Sequence, residues 1–139
     1  MWRNISFFAL LYYIQGAALA YVVNFQKPYL AGEGIGKKTL GLFTSLLLLP
    51  FIAKVFLGML SDRLPLGRCG SRKPYMALGL GIFGLCYFSL GGIDPGHHFA
   101  LFAAVTWLAS LGLALFDTCA DGWAVDIAEE REQGRFRPP

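Results

Sequence analysis

Charge is scarce in this sequence. Asp, Glu, Lys and Arg make up 15% of its 139 residues, where a soluble domain of this size carries about 25%. The deficit excludes an ordinary soluble domain and points to lipid as the surrounding medium. The excess of basic residues is small, +3. They are scattered over several loops and line no single face, which excludes a nucleic-acid binder. Cysteine is also sparse. Cys69, Cys86 and Cys119 are odd in number, and two of them fall inside apolar segments. This argues against a disulfide framework and fits reduced thiols. No nucleophile–base signature is present, so the chain does not read as an enzyme. His97 and His98 are adjacent and lack Cys or acidic partners at ligand spacing, so no metal site is expected. No cofactor is called for.

Long apolar runs, in contrast, are abundant. Crossing a hydrocarbon core takes roughly 20 mostly apolar residues in a helix. Four segments qualify, at about 5–25, 40–60, 74–93 and 99–123. In lipid the backbone must satisfy its own hydrogen bonds, so each is read as a helix. The fold class is therefore an all-α membrane protein with about four transmembrane helices. Arg3 and Ala18-Leu19-Ala20 give the first segment some likeness to a signal peptide. However, Gln15 and Gly16 interrupt its apolar run, which then continues through Tyr21, Val22 and Val23. It is read as a retained span. The stretch Gly32-Glu33-Gly34-Ile35-Gly36-Lys37-Lys38 lacks the leading glycine and the final Ser or Thr of a phosphate loop, and reads as a flexible turn.

Lys and Arg in the loops set the orientation. Arg3, Arg63, Arg68, Arg72, Lys73, Arg131, Arg135 and Arg137 fall on one side. Lys27, Lys37 and Lys38 fall on the other. The richer side is the cytoplasm. Both termini and the loop 61–73 are expected there, in the cell membrane of a multi-pass protein.

The twelfth basic residue, Lys54, lies inside the second span, about 9 Å from its inner end at 1.5 Å per residue. Either it snorkels to the headgroups, or it is a buried cation with an acidic or substrate partner. The fourth span supplies acids. Thr106, Ser110, Asp117 and Asp121 fall within about 60° of one another on a helix, with Ala103 and Ala114 on the same stripe. Two carboxylates four residues apart near a helix C-terminus repel each other and oppose the dipole, so they need a cation. A pair between Lys54 and Asp117 or Asp121 is expected. The alternative is that the helix leaves the membrane at Phe116 and the aspartates are solvated. Gln15, which shares a face with Tyr12 while Asn24 points the other way, is a further cavity candidate. Pro50 predicts a kink in the second span. Ala77, Gly81 and Gly84 predict a close-packing face on the third.

The loop after the second span reads Gly58-Met59-Leu60-Ser61-Asp62-Arg63 and then Gly70-Ser71-Arg72-Lys73-Pro74-Tyr75. This resembles the signature joining helices two and three of the major facilitator superfamily: glycine, three residues, Asp-Arg, then Gly-Arg-Arg/Lys. Six residues separate the two halves here, 64–69, against about one in the usual pattern. Gly67-Arg68 is an alternative to Gly70 with Arg72 and Lys73 for the second half. Leu49-Pro50-Phe51-Ile52-Ala53-Lys54 resembles helix two of folate–biopterin transporters. Asp117-Thr118-Cys119-Ala120-Asp121-Gly122-Trp123-Ala124 resembles helix four of acetyl-coenzyme A transporter and muropeptide permease relatives. The resemblance implies a secondary transporter of a small solute, with or without a coupling proton or cation. It implies a cavity lined by helices one and four, a peripheral helix three, and a switch loop in which Asp62 and the basic residues hold one conformational state. Residues 1–139 would then form part of an N-terminal bundle, a truncated product lacking the C-terminal helices of a full transporter. A self-contained four-helix scaffold or assembly protein is the alternative.

Overall fold

The computed structural model describes residues 2–63 and 72–135, without the side chains of residues 2–5, 7, 23, 62 and 128–135. The order is α1 (Trp2–Tyr21), a π-helical turn (Val22–Gln26), α2 (Lys27–Gly32), α3 (Lys37–Ile52), α4 (Lys54–Arg63), α5 (Lys73–Leu90) and α6 (Phe99–Arg135). These seven pieces form four rods, because α1 runs through the π turn into α2, and α3 continues after a break into α4.

Each interruption has a local cause. Pro28 has no N–H, and its ring would press on the carbonyl of Asn24, four residues earlier. The helix widens there into the π turn, and the Asn24 amide donates to the Ala20 carbonyl at 3.0 Å. In the second rod Pro50 deprives the Leu46 carbonyl of its partner. The helix closes at Ala53, whose N–H bonds Leu49 at 3.1 Å, and restarts at Lys54. The first rod ends where Gly34 takes φ 81°. Gly34 N–H bonds Ala31 and Ile35 N–H bonds Leu30, both at 3.2 Å. This pattern closes a helix C-terminus and needs a residue tolerant of positive φ. Ile35 also packs into the cluster around buried Leu30.

The helix α6 is the central post. Of the most apolar stretch within Phe99–Ile127, 44% is buried, against 12% within Phe8–Gly32 and 17% within Lys37–Ser61. The outer faces of the other rods are lined with exposed Leu42, Leu49, Ile52, Val55, Phe56, Leu85 and Phe88. Helices apolar on the side facing away from the core suit lipid. Among the described residues three helices are long and apolar enough to cross a membrane, and α5 is not one of them. Lys73 and Pro74 fill its first turn, and it is only 18 residues long. It nevertheless runs antiparallel along α6: Arg72 meets Asp126, Gly79 meets Gly112, and Leu90 shares a cluster with Phe102.

The close approach that permits this packing is not the predicted one. A Cβ on Gly81 or Gly84 would meet nothing within 4 Å, and Ala77 is exposed. A Cβ on Gly79 would lie 2.5 Å from the Gly112 carbonyl oxygen and 2.8 Å from Phe116 N. The face of α5 toward α6 carries Gly79, Tyr75, Met76, Cys86 and Leu90, all buried. Helical spacing marks Ala77, Gly81 and Gly84 as one stripe, but spacing does not say which stripe meets a neighbour.

Candidate functional site

Three rods converge on one end of the polar stripe of α6. The break at Ala53 makes Lys54 the first residue of α4. A cation at a helix N-terminus opposes the dipole and needs an anion. Its ammonium forms an ion pair with Asp117, whose side chain is 1% exposed. The same nitrogen lies 3.9 Å from Asp121 Oδ2 and 5.7 Å from the centre of the Phe51 ring. From α1, the Tyr12 hydroxyl donates to Asp121 Oδ1 at 2.8 Å. Asp121 is half-exposed, 50%. The cluster therefore has a sealed end at Asp117 and an accessible end at Asp121, with one cation between two carboxylates.

Further along the stripe the polar groups hold helices together. The Ser110 hydroxyl donates to the Leu47 carbonyl on α3 at 2.6 Å, one residue past the Leu46 carbonyl that Pro50 cannot serve. Thr106 donates to Phe102 O at 2.8 Å and accepts from the Gln26 amide at 3.2 Å. Gln26 is 1% exposed, and its Oε1 has no hydrogen-bond partner among the described residues. A cavity of about 80 Å³ lies among the four rods, bordered by Thr44, Phe51, Tyr87, Thr106 and Ser110.

Of the pathway candidates read from the sequence, Lys54, Asp117 and Asp121 are brought together, while Thr106 and Ser110 lie farther along the same helix. Gln15 is half-buried on α1 and is not drawn into the cluster. Sequence reading passed over Tyr12 as a partner of Asp121 and missed Gln26 altogether. The π turn shifts the register between them, so an unbroken helical wheel misplaces Gln26. Pro28 was the available signal.

The loop signature is only partly within the described residues. Arg68, Gly70 and the Asp62 side chain lie outside them, as does Cys69. Arg63 is exposed at the end of α4. A Cβ on Gly58 would touch the Thr118 methyl at 3.3 Å, so this glycine lets α4 lie close to α6. Arg72 pairs with Asp126 at 3.4 Å, and its guanidinium occupies the space a Cβ on Gly122 would need. Lys73 sits 5.5 Å from the Trp123 ring centre. The basic loop end is thus fastened to α6 one turn beyond the acidic cluster.

Apolar rods with ionisable side chains paired in their interior define a polytopic helical membrane protein. The sequence profile of the Major Facilitator Superfamily matches residues 5–136. The chain belongs to that superfamily, whose members are secondary transporters. No curated protein and no solved structure matches the chain.

Proposed function

We propose that this chain moves a small solute across the cell membrane as part of a secondary transporter, with Lys54, Asp117 and Asp121 in the solute or ion pathway. The observation that carries this reading is the ion pair between Lys54 and the buried Asp117, tied through Asp121 to Tyr12 on a third rod. Ionisable groups inside a membrane bundle are costly and mark pathways. With both carboxylates ionised, the cluster holds one negative charge more than Lys54 balances. That excess favours a proton or a cationic group as the second occupant, and the accessible Asp121 is where it enters. Access alternates as helices rock about this site. Gly58, Asp62, Arg63, Arg68, Gly70, Arg72 and Lys73 form the switch loop, on the cytoplasmic side together with both termini.

The test is uptake into proteoliposomes of a labelled panel of sugars, amino acids, peptides and organic ions, with and without an inward proton gradient. Saturable uptake of one class, lost in Asp121→Asn, is expected. Panel-wide uptake no faster than in empty vesicles would overturn the reading.

A further inference from the structure

A second concavity lies apart from the polar cluster, between α1, α5 and α6. It has a volume of about 440 Å³ and is walled by Leu11, Met76, Leu80 and Phe116, with Lys73 and Trp123 at one end. Its size is within the roughly 300–1,000 Å³ of ligand sites. Its walls offer no hydrogen-bonding side chain, so they suit a hydrocarbon. Its end is different. Lys73 is exposed, and among the described residues no carboxylate lies within 4 Å of it. Its nitrogen instead rests over the Trp123 ring. Tryptophan and lysine side by side at the end of a span sit at headgroup level, where amphipathic rings and snorkelling amines are favoured.

We infer that this groove binds an anionic phospholipid, with an acyl chain along Leu11, Met76, Leu80 and Phe116 and the phosphate at Lys73. The charge complementarity selects the occupant. A zwitterionic lipid brings its own cation to Lys73, whereas an anionic one brings uncompensated negative charge to an amine that no carboxylate among the described residues pairs. Basic pockets between transmembrane helices take anionic headgroups for this reason. Asp126 does not oppose the phosphate, because Arg72 pairs with it. The inference uses no residue of the Lys54 cluster; it shares Lys73 with the switch loop of the transport reading, and lipid preference is read without any transport measurement.

Trp123 provides the probe. The chain has three tryptophans, and Trp2→Phe with Trp107→Phe leaves Trp123 alone. Trp107 Nε1 is buried with no acceptor among the described residues, so phenylalanine forfeits no hydrogen bond to them. The full chain is placed in nanodiscs containing brominated phosphatidylglycerol or brominated phosphatidylcholine. Half-maximal quenching of Trp123 is expected at an about fivefold lower fraction of phosphatidylglycerol, the factor one lysine supplies near an anionic headgroup. Lys73→Gln removes the difference and Lys73→Arg keeps it. Equal quenching by both lipids, or a preference that survives Lys73→Gln, overturns the inference. So does the absence of quenching by either lipid, which means a protein helix covers the groove. If the double-phenylalanine chain does not fold by circular dichroism, retention of phosphatidylglycerol over phosphatidylcholine by the unaltered chain and by Lys73→Gln, read by native mass spectrometry, decides the same question.

Discussion

Asp117 is the residue with the most at stake. Removing one partner of a buried ion pair leaves an uncompensated charge, a loss of about 3–5 kcal/mol when both groups are buried. Lys54 is 33% exposed, so solvent softens the loss from that side. Lys54→Ala is expected to destabilise the bundle and reduce uptake. Lys54→Ala with Asp117→Asn is expected to cost less than the sum of the single changes, because the second change removes the stranded charge. Thermal unfolding in detergent and uptake rates of the four chains provide the measurement, and strict additivity counts against a functional pair. Gly79 matters for a steric reason. Any side chain there meets the Gly112 carbonyl, and prying packed helices apart costs about 1–3 kcal/mol or more. Gly79→Val is expected to lower the unfolding temperature, whereas Gly81→Val, facing open space, leaves it nearly unchanged. The reverse order would show that α5 meets α6 through the other stripe.

At the scale of elements, the two interruptions aim side chains. The π turn inserts one extra residue, and π turns recur at functional sites for this reason. It brings Gln26 under Thr106 while Tyr12, on the other side of the turn, reaches Asp121. Deleting Asn24 restores α-helical register and rotates α1 by roughly 100° relative to α2. The deletion is expected to lower the unfolding temperature. It should cost less in a Tyr12→Phe background, where the bond to Asp121 is already gone; an equal cost in both backgrounds would dissociate the turn from that contact. The break at Ala53 acts similarly. By ending one helix and starting another, it sets Lys54 against Asp117 at a helix N-terminus. The kink was legible from Pro50, and the pair was legible from the opposed charges of two spans. The register shift was not, because Pro28 signals an interruption without saying whether the helix bends, widens or stops.

For the whole molecule, membrane residence and four helical rods follow from the apolar runs, and among the described residues three of those rods are long and apolar enough to cross a membrane. The proposed orientation rests on eight basic residues on one side against three on the other, the residues named above. Cys69 falls in the basic stretch 61–73 of the sequence, while Cys86 and Cys119 are buried. A membrane-impermeant maleimide is therefore expected to label the protein only after the cytoplasmic face is opened, and labelling from intact cells would invert the topology. The peripheral place implied for the third rod sits beside an extensive contact along α6, and its short apolar length is offset by that neighbour.

Hydrophobic run length, the distribution of cationic loops and the cost of a bare charge in lipid are properties of the chain itself. They determined the medium, the number of rods and the need of Lys54 for an anion. Which face of each rod meets which neighbour was decided only in the assembled bundle. Gly79 rather than Gly81, Tyr12 on Asp121 and Gln26 under Thr106 all depend on rotations about helix axes. A helix in lipid gains about as much from one apolar face as from another, so its own pattern does not set that rotation. Steric fit against α6 does.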